Sequence, residues 1–218
     1  MRQGDCIEMT EKSIELTEWD ITLMAWHEAG HAVCAYYLPE TEAIQSISIE
    51  PGNEAFGMMK SEPRKKLNLT YVSCLNEISV ALAGRLSEEI FQNDITSSCI
   101  HDLDKVQSIA LRMVCELGMG SRTGKITWMC RDKESESLML FSEAQRNDIY
   151  ADIKEILCDA EKEARDLLES KAEQVRTIAE ILMKQKTISG KELFNVLKHP
   201  VSQKGREQHV SKCTAKGK

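Results

Sequence analysis

Two histidines four residues apart, with a glutamate directly after the first, are the residues of this 218-residue chain best arranged for chemistry: His27, Glu28 and His31 in the string HEAGH. On an α-helix, positions i and i+4 share a face, so both imidazoles can aim a ring nitrogen at one ion about 2.0–2.1 Å away, a geometry that suits zinc. Glu28 stands one turn before His31, within reach of a water at that ion without ligating it, which is the place of a general base. Such a trio suits amide hydrolysis: the ion acidifies water toward a pKa of about 7 and polarises a carbonyl, while the glutamate carries the proton to the leaving amine. A catalytic zinc keeps three protein ligands and one open position, so another His, Asp or Glu must come from elsewhere in the chain. Gly30 and the alanines 25, 29 and 32 leave little bulk around the motif. A glycine inside a helix costs about 1 kcal/mol relative to alanine, which points to close approach by another element.

The elements that must position these residues follow from hydrophobic spacing. Ile21, Leu23, Met24, His27, His31, Val33 and Cys34 fit one helix ending near Pro39. Ile47-Ser48-Ile49-Glu50 alternates and is closed by Pro51-Gly52, a strand and turn, with Phe56 to Met59 placed to pair back. Residues 69 to 91 and 102 to 117 carry apolar residues every three or four positions, with Gly118 as a stop. Lys125 to Cys130 is strand-like, and a long helix follows through Ile149, Ile156, Ala164 and Leu167. Ser170-x-x-Glu173 and Ser189-x-x-Glu192 read as capping boxes that open two further helices. The expected class is mainly α (α+β), with a small sheet near residues 44–60 and a C-terminal helical bundle over about 142–197.

Four segments in order, MAWHEAGHAVCAYYLPE, IQSISIEPGNEAFGMM, ALAGRLSEEIF and ITSSCIHDLDKVQSIALRMVCELGMG, are similar in spacing to the peptidase domain of the FtsH-type AAA proteases. The resemblance covers residues 19–197, leaving a polar segment 1–18 and a basic tail 198–218. It implies one Zn2+ per chain, a polypeptide substrate and an endopeptidase activity. It also implies that Asp102, at the start of a helix after a Thr/Gly-rich loop, is the third ligand. Taken without the resemblance, Asp102 also reads as a helix N-terminal carboxylate favoured by the macrodipole. His101 stands where the family usually has Asn, which makes it an alternative ligand, and Ser98 stands where a Gly is usual. Glu88 and Glu89 are weaker alternatives, read more easily as solvated residues or as supports behind the ligands, and Asp104 shares that reading. Ile47, Ser48, Ile49 and Glu50 resemble the edge strand along which an extended substrate aligns by β-augmentation. Trp26 reads as core or pocket wall.

The family's usual ATPase, with its GxxxxGK[ST] loop, and its membrane helices have no counterpart in this sequence. The expectation is therefore an ATP-independent peptidase for flexible or unfolded polypeptides, with room for a separate ATPase or unfoldase and for a homo-oligomer. The other reading is a non-catalytic zinc-binding interaction or regulatory protein that keeps the fold. Charge and cysteines bound the setting. The tail carries six Lys/Arg against Glu207 alone, a net +5, which leaves −12 on residues 1 to 197 of a chain whose net charge is −7. An acidic body is a poor footprint for nucleic acid, and none is expected as a partner. Eight cysteines without a CxxC pair read as reduced thiols, and with no signal peptide and no apolar run of membrane length, a soluble cytoplasmic protein is expected.

Overall fold

The computed structural model of the chain describes residues 16–50, 58–62, 68–128 and 141–198. The tail beyond Lys198, most of the N-terminal segment, the Pro51-Gly52 turn, Phe56 and the end of the strand-like segment, Met129 and Cys130, lie outside the described residues.

Among the described residues, helix α1 (Glu18–Tyr37) leads into strands β1 (Ala43–Ser48) and β2 (Met58–Glu62). Helices α2 (Tyr71–Gln92), α3 (Ile100–Cys115), α4 (Glu143–Ser170) and α5 (Ala172–Gln185) follow, then strand β3 (Thr187–Ser189) and helix α6 (Gly190–Lys198). The protein is mainly α. Its three strands form one antiparallel sheet in the order β2-β1-β3.

Helix α1 starts on a capping box: Thr17 Oγ1 accepts from Asp20 N–H at 3.2 Å, and Asp20 Oδ2 accepts from Thr17 N–H at 2.8 Å. It stops at Leu38, whose extended backbone suits the residue before Pro39. Every residue from Leu23 to Ala35 is buried, so α1 is the central helix of the fold, covered by α2 and α5 and by the sheet. Two apolar clusters share the molecule. One joins α1, the sheet and the C-terminal helices through Val33, Ile47, Leu168, Ile178 and Leu182; the other joins α2, α3 and α4 through Ile78, Val106, Met113, Ile149 and Ile156. Helix α2 lies in both and ties the site to the rest of the core.

Helices α1 and α2 cross closely because both are small at the crossing. A Cβ at Gly30 would collide with the Ala83 carbonyl and stand 2.6 Å from Ser87 Cβ. Ser87 in turn donates to the Trp26 carbonyl at 2.6 Å.

Two sequence expectations change. Residues 125–128 form no strand; Trp128 N–H instead returns to the Cys115 carbonyl at 2.8 Å. Ser170 does not open α5: it closes α4, its hydroxyl donating to Leu167 O at 2.8 Å, and α5 starts at Ala172 behind Lys171, which gives no side-chain cap. Ser189 and Glu192 do form the second capping box. The third strand, β3, carries the C-terminal helices back onto β1, so the sheet draws on both ends of the fold. Cys34, Cys74, Cys99 and Cys115 are buried and Cys158 is exposed, and none of these five is in a disulfide. No helix among the described residues is long and apolar enough to cross a membrane.

Candidate active site

His27 and His31 project from the buried middle of α1 over α2 at Gly84, where any side chain would intrude. A Cβ there would stand 2.5 Å from His31 Nε2 and 2.6 Å from His27 Nε2. Asp102 reaches the same point from the first turn of α3. The three converge: His27 Nε2 lies 3.0 Å from His31 Nε2 and 3.1 Å from Asp102 Oδ2, and His31 Nε2 lies 3.4 Å from Asp102 Oδ2.

The far nitrogens decide what the near ones can do. His31 Nδ1 donates to the Val80 carbonyl at 2.7 Å, and His27 Nδ1 donates to Glu88 Oε1 at 2.7 Å. A neutral imidazole that donates from Nδ1 has a bare lone pair on Nε2. Two such lone pairs facing each other at 3.0 Å require a positive charge between them. The electrostatics agree: although burial opposes it, hydrogen bonds to Asp102 and Glu88 push the His27 pKa up to about 10, and the same two histidines hold the Asp102 carboxyl well below the usual carboxylate range. A zinc with bonds of about 2.0–2.1 Å in tetrahedral geometry separates its ligand atoms by roughly 3.4 Å. The observed triangle fits that ion, and each histidine already has the carboxylate or carbonyl partner that orients a metal-bound imidazole.

Glu28 is buried beside them, and its Oε2 has no hydrogen-bond partner. Burial, helped by the charge of Asp102, raises its pKa above the ordinary carboxylate value against the pull of His31 and His27. The cleft in front of the cluster has a volume of about 940 Å3; Trp19, Met58, Ile95 and Ile100 give it an apolar rim around His27, Glu28, His31 and Asp102.

The other candidates separate by position. His101 lines the cleft as an exposed residue and stands outside the ligand triangle. Asp104 is exposed on α3, and Glu89 pairs with Arg165 at 2.9 Å. Glu88 is not solvated: it is fully buried behind His27 and also accepts from Thr96 N–H and the Ser98 hydroxyl, both at 2.8 Å. Trp26 is core, stacked on Phe91 with centroids 5.0 Å apart. The segment Ile47 to Glu50 is not an edge strand. β1 is central, paired on both sides: Ile47 faces Met59 on β2 and Ile188 on β3, and Ile49 N–H donates to the Lys186 carbonyl. The outer position, and the cleft wall at Met58, Met59 and Ser61, belong to β2. Sequence reasoning missed β3, whose pairing fills the side of β1 that was read as free. It also missed Gly84, although a glycine inside a helical pattern is the same signal that drew attention to Gly30.

The sequence pattern of peptidase family M41 matches residues 15–196. The chain belongs to that family. Among its relatives, the ATP-dependent zinc metalloprotease FtsH 3 of Petrotoga mobilis is 33% identical over 214 residues, covering 88% of this chain and 32% of the relative. The ATP-dependent zinc metalloprotease FtsH of Thermotoga maritima is 32% identical over 183 residues, covering 80% and 30%. That of Thermus thermophilus is 28% identical over 190 residues, covering 86% and 30%. The M41 chain thus spans about a third of the length of the curated relatives it matches. Zinc, the metal in these relatives' names, is also the ion that the triangle of its two imidazoles and one carboxylate fits.

Proposed function

We propose that the chain is a zinc-dependent endopeptidase acting on extended, flexible or unfolded polypeptides, with His27, His31 and Asp102 holding the metal and Glu28 as general base. The convergence of two Nε2 atoms and a carboxylate oxygen beside the unpartnered, buried oxygen of Glu28 carries this reading. Zinc held there supplies Lewis-acid polarisation of a peptide carbonyl and makes water acidic enough to attack it near neutral pH. The protein's own residues do the rest. Glu88 and the Val80 carbonyl keep both imidazoles in the tautomer that presents Nε2. Glu28, its basicity raised by burial, takes the proton of the attacking water and delivers it to the departing amine. The outer edge of β2, in place of β1, is the main-chain surface for an extended substrate, held by backbone hydrogen bonds that ask little of its side chains.

Nucleotide has no part in this step, since peptide hydrolysis runs downhill once the site is assembled. The ATP dependence in the relatives' names belongs, in this reading, to the delivery of folded substrates, which here falls to another module or a separate partner. The test compares wild type with Glu28→Gln, both zinc-loaded, on an unstructured fluorescently labelled protein without nucleotide. Turnover should fall by at least about a hundredfold in the variant while zinc stays at one per chain. A variant as active as wild type overturns the mechanism. Two zinc-loaded proteins that both leave the substrate intact favour the non-catalytic zinc-binding alternative.

A further inference from the structure

The loop between α2 and α3 reaches behind the metal ligands, and one of its side chains has no packing reason to be what it is. Ser98 is exposed at the rim of the cleft, yet its hydroxyl lies 2.8 Å from Oε1 of Glu88, a side chain with no exposure to solvent. The direction of that bond is fixed by its neighbours. Ser98 N–H donates to Thr96 Oγ1 at 3.3 Å, and the two hydroxyl oxygens lie 2.6 Å apart. An ionised carboxylate only accepts. The hydroxyl proton of Thr96 therefore goes to Ser98 Oγ, that of Ser98 goes to Glu88 Oε1, and His27 Nδ1–H meets the same oxygen from the other side at 2.7 Å. Thr96 N–H holds the second oxygen at 2.8 Å.

We propose that Ser98 is a positioning residue of the metal site: through Glu88 it fixes the ring of His27 and so tightens the hold on zinc. The inference rests on the zinc reading above. A carboxylate gripped at one oxygen only can turn about its terminal bond, and a histidine hydrogen-bonded to it turns with it. Thr96 N–H and the Ser98 hydroxyl grip both oxygens from the loop, which leaves Oε1 aimed at His27 Nδ1 and Nε2 aimed at Asp102 and His31.

Zinc affinity, read by competition with a chromophoric chelator, tests it on the 218-residue chain as wild type, Ser98→Ala, Ser98→Thr, Glu88→Gln and the Ser98→Ala/Glu88→Gln double variant. Ser98→Ala should bind zinc about tenfold more weakly, the lower end for residues that orient a metal ligand. Ser98→Thr, which keeps the hydroxyl, should stay within about twofold of wild type. In the Glu88→Gln background the alanine should cost nothing further, because a relay has no effect once its middle member is gone. A Ser98→Ala chain with wild-type affinity, equal losses in Ser98→Ala and Ser98→Thr, or a full additional loss in the double variant each overturns the relay while leaving the zinc site standing. Absence of zinc from wild type overturns the zinc reading itself. The threonine rescue decides the matter even where Glu88→Gln does not fold.

Discussion

Glu88 and Asp152 are both carboxylates sealed from solvent, and each clasps a loop from its place on a helix, yet their networks end differently. Asp152, on α4, is saturated by its own loop: it accepts from the Ser121 hydroxyl, from Arg122 N–H and guanidinium, and from Thr123 N–H and hydroxyl, all at 2.7–3.1 Å. Its charge is answered on the spot by Arg122. Glu88 takes only two donors from its loop; the third is His27, whose opposite nitrogen opens into the cleft. Burial and a lowered pKa do not separate the two, since both carboxyls sit below their ordinary values against the cost of burial. What separates them is where the chain of hydrogen bonds stops. A buried charge compensated within its own loop is architecture, and one whose compensation passes through an imidazole to the proposed metal triangle belongs, on that reading, to a site.

That contrast can be broken by exchanging the losses. Asp152→Ala strands the buried donors of Thr123 and should cost about 3 kcal/mol of stability, a fall in Tm of roughly 6–12 °C for a chain of this size, with zinc affinity within about twofold of wild type. Thermal unfolding and chelator competition on one preparation check both halves; a zinc affinity that fell with the Tm would erase the distinction. Glu88→Gln should show the opposite profile. It keeps the shape and one acceptor oxygen, so the metal-free protein should lose only about 1 kcal/mol, while zinc binding weakens about ten- to hundredfold.

The sequence reveals these two carboxylates unequally, and the reason is physical. HEAGH is legible because i and i+4 on one helix need no tertiary knowledge. The helices around it are legible because their apolar residues recur every three or four positions. Asp102 meets the histidines across 75 residues, and only the resemblance to a known family suggested it. Glu88 is legible only as one of two adjacent glutamates that read as solvated or as supports behind the ligands, since a helical pattern does not show which partner buries a charged residue. Nothing in the sequence marks Asp152, because its partners at 121–123 have no periodicity that points to α4. The β1 error has the same origin: an alternating pattern shows that a segment is a strand but not how many neighbours it has, and the three residues of β3 are too few to signal themselves.

The pH dependence of stability is the sharpest probe of the difference. Hydrogen bonds from Thr123, Arg122 and Ser121 outweigh the cost of burial and hold the Asp152 carboxyl at about 2, against 3.8 for an ordinary aspartate. A depressed folded-state pKa gives stability that is present above the unfolded value and is lost as pH falls through the folded one, so the window runs from about 4 down to about 2. The shift corresponds to roughly 2 kcal/mol for a side chain with no exposure. Urea unfolding of the metal-free protein at pH 4 and at pH 2, wild type against Asp152→Asn, isolates it: the stability gap between the two should shrink by about that amount as pH falls, because the asparagine does not titrate. Salt refines the reading. Most donors to Asp152 are neutral N–H and O–H groups, so 0.5 M salt should leave most of the gap in place at pH 4. A gap that collapsed with salt would mean that the exposed Arg122 guanidinium carries it, and Asp152 would then be an ordinary surface ion pair and not a buried anchor.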